Sequence, residues 1–241
     1  MEVIKIDQAL SSNSLALEML EKKEVQEGTV IWVLNQTEGK GQRNNVWLSE
    51  PAQNLTVSLI LKPVFLNPEN QFYLSKAIAL GVADYVGLFS SEVKVKWFND
   101  IFIHNKKVAG ILIENAWVGK KMNSSVVGIG LNLNQEKFPP EISQAISLKM
   151  QTGVPFVLEE SLKLLHGLLM TRYYQLKESQ FKEIDKDYHS KLYGLGEIKF
   201  FYKNGEKFEA KILEVEPNGH IRLLMTDGKI SSFGMHEIRM L

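Results

Sequence analysis

The chain has 241 residues, 44% hydrophobic and 23% charged, an ordinary globular composition that excludes disordered, collagen-like and low-complexity classes. Its 28 basic and 28 acidic residues cancel, whereas a dedicated nucleic-acid binder shows a strong basic excess. There is no cysteine, so disulfides, thiolate nucleophiles, enzyme-bound thioesters and cysteine-ligated zinc are excluded.

The N-terminus, MEVIKIDQAL, lacks a basic n-region and a long apolar h-region, and no apolar run approaches the ~20 residues of a membrane span. A cytoplasmic chain with no membrane partner is expected. Val3 to Ile6 reads as a short strand, and Ser11, Ser12, Asn13 and Ser14 then supply helix-cap chemistry ahead of a helix-forming stretch. Thr29 to Leu34 is a buried strand by its β-branched and aromatic content. Gln36 to Trp47 (QTEGKGQRNNVW) is a polar, glycine-bearing loop long enough to suspect function. A strand over Leu55–Leu61 and a helix over Pro68–Phe89 follow, the latter with apolar residues near helical spacing.

The centre is rich in strand signals: Val93–Trp97, Ile101–His104, Val108–Glu114 and Ser125–Leu133. Helices are expected over Leu158–Leu176 and Phe181–Leu192. From Gly194 short alternating runs are separated by Asn204-Gly205, Asn218-Gly219 and Asp227-Gly228, the signature of a small antiparallel barrel or sandwich. These signals predict an α+β protein with a larger unit over residues 1–192 and a small β unit over 193–241.

No P-loop, H-E-x-x-H or G-x-S-x-G motif is present, and neither Gly39-Lys40-Gly41 nor Gly128-Ile129-Gly130 completes a dinucleotide fingerprint. The five histidines have no metal-ligand spacing. Three constellations remain. In the first, Gly39 and Gly41 free backbone N–H groups to turn toward an anion, Lys40 and Arg43 add charge, and Trp47 offers a ring face; a solvated loop ahead of a buried tryptophan is the plainer alternative. The second is Lys96-Trp97-Phe98-Asn99-Asp100 followed by Lys107-Val108-Ala109-Gly110-Ile111-Leu112, where a lysine beside small residues can reach a phosphate; a surface hairpin with a turn lysine is the plainer alternative. In the third, Gly128 and Gly130 open one sheet face, with Asn132 beyond them, either to a ligand or to another backbone.

Taken in order, the Ser-Ser-Asn element, Q-x-x-G-K-G-x-R with its following Trp, K-W-x-N-D-x₆-K-x-A-G-I-L and G-x-G-x-N resemble the biotin–protein ligase family from about Ser11 to Asn134. The resemblance implies a mixed-sheet catalytic domain related to class II aminoacyl-tRNA synthetases and a small SH3-like barrel behind it. It implies an ATP-dependent ligase that forms biotinyl-5′-adenylate and pyrophosphate and passes biotin to a lysine of a biotin carboxyl carrier protein. Biotin, ATP and Mg²⁺ are then substrates, with no prosthetic group.

Residue by residue, the resemblance makes Lys107, Asp100, Lys40 and Arg43 the catalytic set. Lys107 would contact the carboxylate and α-phosphate, and Asp100 would assist the incoming lysine or a metal through water; no metal ligand set is implied among side chains. Biotin would meet Ser11, Ser12, Asn13, Gln36, Gly39, Lys40, Lys107, Gly110, Leu112, Gly128 and Gly130. The adenylate would meet Gly41, Gln42, Arg43, Trp47, Asn99, Lys107 and Asn132.

Several positions depart from the family pattern. Phe98 replaces a proline, Lys40 an arginine and Asn44 a glycine, and Gln42 stands where many members carry an arginine, leaving the phosphate clamp one cation short. Only about ten residues precede the Ser-Ser-Asn element, so an enzyme without a DNA-binding repressor domain is expected, with no DNA partner. The resemblance also allows a homodimer paired through the catalytic sheet. The alternatives are a lipoate–protein ligase-like enzyme of the same fold and a non-enzymatic binding module built on the C-terminal β unit.

Overall fold

The structure is a computed structural model that describes residues 1–23, 25–119 and 121–241. The N-terminal strand β1 (Val3–Ala9) leads through helix α1 (Ser12–Glu21) into β2 (Val30–Gln36), which lies parallel to β1. β3 (Leu55–Leu61), helix α2 (Phe72–Gly87), β4 (Val93–Lys96), β5 (Asp100–Ile103), β6 (Lys106–Val118) and β7 (Lys121–Leu131) follow. These strands form a seven-stranded sheet in the order β1-β2-β3-β7-β6-β5-β4, antiparallel everywhere except at β1–β2.

Alternation along the strands divides the sheet into two buried faces. Ile31, Val33, Ile60 and Val126 pack with Ala16 of α1 on one face. On the other, Val30, Trp32, Leu59, Leu61, Val127 and Ile129 join the main core with α2. β3 is buried at every position, which is why its sequence is mostly apolar, broken only by Thr56 and Ser58, rather than alternating. α2 is likewise buried almost all round, packed against α4 (Leu158–Lys177) and α5 (Phe181–Lys191), which follow the short helix α3 (Leu148–Thr152). Fully burying one large aliphatic side chain contributes about 1.5–3 kcal/mol, so this layer dominates the stability of the fold.

A second sheet, antiparallel throughout, contains β8 (Ile198–Lys203), β9 (Glu206–Val215), β10 (Ile221–Met225), β11 (Ile230–Phe233) and β12 (Arg239–Met240), in the order β11-β10-β9-β8-β12. The β8–β9 turn runs through Asn204 and Gly205, both with positive φ, as a tight hairpin turn demands. Phe201, Val215 and Ile221 share one apolar cluster with Phe72 and Tyr73 of α2, so the two sheets have a continuous core. Polar ties reinforce it. Trp97 Nε1 donates to the Gly219 carbonyl at 3.0 Å. The fully buried Lys76 ammonium donates to Asp185 at 2.5 Å and to the Val215 carbonyl at 3.1 Å.

Four features differ from the sequence-based expectations. The Pro68–Phe89 helix is a short turn over Pro68–Asn70 followed by α2. The β6–β7 hairpin is longer than expected because its tip is exposed and polar, with Asn115, Lys121 and Asn123 carrying no apolar signal. α3 and β12 are too short to show a periodicity. The Trp97–Phe98 peptide between β4 and β5 is cis. Among the described residues no helix is long and apolar enough to cross a membrane.

Candidate active site

The first turn of α1 does not use its cap-type residues as caps. Ser11 occupies the N-cap position without a side-chain cap bond. The N–H of Ser12, one of the donors every helix start leaves unpaired, is taken by Gln36 Oε1 at 2.7 Å. The Ser12 and Asn13 side chains are thereby left for the sheet. Beneath them Ser58 of β3, Gly128 of β7 and Leu112 of β6 lie in register. Ser58 Oγ is 2.5 Å from Asn13 Oδ1 and 2.8 Å from Ser12 Oγ. Asn13 Nδ2 donates to Glu114 Oε2 at 2.8 Å and to the Leu112 carbonyl at 3.3 Å. A Cβ on Gly128 would clash with the Asn13 carboxamide, so glycine is what admits Asn13 to the sheet.

The next register row holds Thr56, Gly130 and Gly110. The Trp47 indole lies directly over Gly130, and a Cβ on Gly110 would stand 3.0 Å from the same ring and 3.1 Å from Lys107 Cε. Trp47 reaches this point from a folded loop. Its N–H donates to the Gly39 carbonyl at 2.8 Å, the Gly41 N–H donates to the Asn45 carbonyl at 2.7 Å, and Lys40 bridges Val46. The buried indole Nε1 has no partner among the described residues.

Lys107 stands at the far end. Its backbone is fixed on both sides, with its N–H donating to the Gln144 carbonyl at 2.8 Å and its carbonyl accepting from Ile146 at 2.9 Å. Its ammonium is 2.7 Å from Asp100 Oδ1 and 5.5 Å from the Trp47 ring centre. Asp100 pairs with Lys96 across the β4–β5 hairpin. Burial pushes the Lys96 ammonium below the ordinary lysine range, Asp100 opposes that shift, and Lys107, Arg239 and Lys199 add to it through like-charge repulsion. The pocket is therefore electropositive at one end and carries neutral hydrogen-bonding groups at the other.

One cleft connects the two ends. Ser11, Ser12, Asn13 and Gln36 line its polar end, and Gly110, Leu112, Gly128 and Gly130 its floor. Lys40, Gly41, Gln42 and Trp47 close it from the loop, and Asn99 and Lys107 complete it. Asn99 is clamped to β6, its Nδ2 donating to the Ile111 carbonyl at 2.8 Å.

Other expected residues sit differently. Gly39 does not line the cleft but a separate cavity, and a Cβ on it would strike the Trp47 backbone. Asp100 lines a neighbouring cavity toward the C-terminal sheet. Arg43 lines that cavity too, and its guanidinium donates to the Met235 carbonyl and, at 2.6 Å, to the Ile238 carbonyl. It thus joins the loop to the C-terminal sheet instead of pointing into the cleft, because residues 235–238 offer carbonyls left unpaired by strand bonding. Asn132 is buried and braces the chain after β7, its Nδ2 donating to the Ile146 carbonyl at 3.2 Å. No group of three or more metal-ligating side chains occurs among the described residues.

Sequence reasoning placed Lys96 in the second constellation without giving it a role, and did not single out Ser58, Glu114 or Arg239. The signal for Ser58 and Glu114 was a polar residue interrupting an apolar run, Ser58 in LTVSLIL and Glu114 in AGILIE. Lys96 and Arg239 line the cavity beside Lys107 from segments 143 residues apart, which no local pattern links.

Residues 4–132 match the model of the biotin/lipoate A/B protein ligase family. The chain is 31% identical over 228 residues to the bifunctional ligase/repressor BirA of Bacillus subtilis, covering 91% of this chain and 68% of that protein. It is 31% identical over 175 residues to the biotin–[acetyl-CoA-carboxylase] ligase of Paracoccus denitrificans, covering 69% and 72% respectively. Among solved structures, the biotin protein ligase of Aquifex aeolicus in complex with biotin and ATP superposes with a TM-score of 0.83 at 27% identity, over 100% of this chain and 98% of that one.

Proposed function

The chain belongs to the biotin/lipoate A/B protein ligase family, and on that premise we propose that it joins biotin to a carrier protein in two steps at the cleft just described. It is a biotin–[acetyl-CoA-carboxylase] ligase by this reading. A biotin carboxylate oxygen attacks the α-phosphorus of ATP, the bond to the β-phosphate bridging oxygen breaks, and pyrophosphate leaves. The uncharged amine of a carrier lysine then attacks the carbonyl of the mixed anhydride, and AMP departs with the bonding electrons while the amine loses a proton.

The observation that carries this reading is the polarity of the cleft. Ser12, Asn13 and Gln36 stand at one end and Lys107 at the other. Biotin has the same order, a ureido ring with two N–H donors and one carbonyl at one end and a carboxylate at the other. The dithiolane of lipoate offers neither N–H nor C=O, so it would cover this polar end without adding a hydrogen bond to the lone pairs and hydrogens that still face the cleft.

In the first step two anions approach, and fixed positive charge must offset their repulsion where it peaks. Lys107 is the group placed for that task, and Lys40 and the loop N–H groups supplement it. Asp100, already paired with Lys107, is positioned to receive the proton of the carrier amine, and it is the carboxylate that Mg²⁺ bound to ATP would meet through water. Residues 1–192 are read as the catalytic unit and residues 193–241 as the unit that closes its phosphate end. The partner is a biotin carboxyl carrier protein of acetyl-CoA carboxylase or a related carboxylase.

The test is pyrophosphate release from ATP with biotin and, separately, with lipoate, followed by mass spectrometry of a carrier protein after incubation. Biotin-dependent release and a carrier mass increase of one biotinyl group are expected. Release with lipoate alone would move the reading to the other branch of the family. No release with either would leave only a binding module.

A further inference from the structure

The geometry points to Glu114 as a positioning residue for substrate recognition: its carboxylate orients the Asn13 carboxamide so that Asn13 presents a carbonyl oxygen, and not an N–H, to the bound ring. This inference rests on the biotin reading above and identifies what sets the polarity of the ureido end.

A carboxamide can be turned over with almost no change in shape, so its orientation is decided by its neighbours. Two neighbours of Asn13 can only accept, Glu114 Oε2 at 2.8 Å and the Leu112 carbonyl at 3.3 Å. Both amide hydrogens are committed to them. Turned over, Asn13 would set its oxygen against a carboxylate and a carbonyl, two acceptor–acceptor contacts in a residue only 2% exposed. The third neighbour, Ser58, is indifferent, because a hydroxyl can donate or accept. Asn13 cannot swing away either, since its carboxamide is seated on Gly128.

The consequence extends along the row. With Asn13 Oδ1 held as an acceptor, the single Ser58 hydrogen goes to it across 2.5 Å. Ser12 Oγ, 2.8 Å from Ser58 Oγ, then keeps its own hydrogen to donate to Ser58 or to a ligand carbonyl. Asn13 Oδ1 has one further lone pair for a ligand N–H, and the charged partner on Nδ2 strengthens that acceptor. One ureido N–H and the ureido carbonyl are thus matched by an acceptor and a donor whose roles trace back to Glu114. Glu114 itself lines a separate cavity and not the cleft, so it acts through Asn13.

The experiment is isothermal titration with biotin in the absence of ATP, on the full chain, for wild type, Glu114→Ala, Glu114→Gln, Asn13→Asp and the double variant Asn13→Asp with Glu114→Gln. Removing the orienting acceptor should weaken biotin at least about tenfold. Glu114→Gln, which keeps an amide oxygen for Asn13, should lose only about threefold. Asn13→Asp alone sets two carboxylates face to face and should weaken biotin by about a hundredfold or more. In the double variant the glutamine amide introduced in place of Glu114 donates to the new carboxylate, and at least about tenfold of that loss should return. The KM for ATP should move less than about twofold in every folded variant, separating positioning from general damage. Glu114→Ala binding like wild type, or a double variant no better than Asn13→Asp, would overturn the inference. If Glu114→Ala does not fold, the comparison of Asn13→Asp with the double variant decides it. Absence of biotin binding by the wild-type chain would instead overturn the functional reading itself.

Discussion

The Lys107 ammonium and the Asp100 carboxylate lie 2.7 Å apart, with side-chain exposures of 34% and 25%. This pair stands at the junction of the substrate cleft and the cavity that opens toward the C-terminal sheet. In the free enzyme each charge offsets the other. Under the proposed mechanism, two entering anions give Lys107 a competing partner and free Asp100 for the second step. A charge-assisted contact made chiefly in the transition state is worth on the order of 3 kcal/mol. Lys107→Ala is therefore expected to slow biotin-dependent pyrophosphate exchange by roughly a hundredfold or more while leaving the thermal midpoint within a few degrees. Exchange at a near wild-type rate would remove Lys107 from the mechanism.

Gly130→Ala tests the seat of Trp47. The added methyl would clash with the face of the indole, and the neighbouring backbone belongs to a central strand that cannot retreat. The ring should leave the floor of the cleft, seen as a red shift and altered quenching of tryptophan emission when compared with Gly130→Ala in a Trp47→Phe background. The methyl also protrudes where the resemblance places the biotin chain, so the KM for biotin should rise about tenfold or more, in line with overpacking costs of about 1–3 kcal/mol. Unchanged emission and KM would mean that this face of the sheet is not used.

Lys96 offers a pH test. Its folded pKa lies below the ordinary lysine value because of burial and, secondarily, Lys107, Arg239 and Lys199. A lysine with a depressed folded pKa weakens the fold while it is charged in the native state. That penalty fades as pH rises from the folded pKa toward the ordinary value of 10.5. Lys96→Met should remove the penalty, so the variant should melt higher than wild type near neutral pH, with the gap narrowing in alkaline buffer. The same substitution takes one cation from the cavity beside Lys107 and should slow pyrophosphate exchange. A variant that melts lower at about pH 7 and is fully active would contradict both parts.

Gln42 lines both the cleft and the cavity next to it, at the position where the resemblance places an arginine. With one cation fewer, the adenylate should leave sooner than from an enzyme with the full set. Gln42→Arg is expected to slow release of biotinyl-adenylate in the absence of carrier by about fivefold or more, the effect of ~1 kcal/mol from one charge-assisted bond. Release that is unchanged or faster would show that Lys40 or another group already supplies that charge.

Arg43 should couple the loop to the C-terminal sheet, since its guanidinium is held by the carbonyls of Met235 and Ile238. Arg43→Ala is expected to raise hydrogen exchange in both the 39–47 loop and the 234–238 turn, where a purely local effect would raise it in the loop alone. The contact lies at a partly exposed site, so global stability should fall by only about 1 kcal/mol.

The amino-acid sequence by itself determined the local pieces and the chemistry they carry. The strand over Leu55–Leu61 was legible to the residue because an apolar, partly β-branched run between polar segments leaves few alternatives. The glycine turns announced the C-terminal sheet, and the spacing from Asp100 to Lys107 is short enough that one hairpin brings both residues together. Only the tertiary structure decided how side chains distant in sequence share hydrogens. Ser11 to Asn13 read as a helix cap, yet Gln36 takes over the capping bond and Ser58 and Glu114 take Ser12 and Asn13. Arg43 read as a cleft residue, yet carbonyls nearly two hundred positions away hold it. A hydrogen bond is satisfied by whichever partner the fold brings within about 3 Å, and for Ser58, Gly128 and Leu112 that partnership is set by strand register across three strands. Local propensity fixes each strand, but the pairing of one strand with another is a long-range choice that no stretch of the sequence contains.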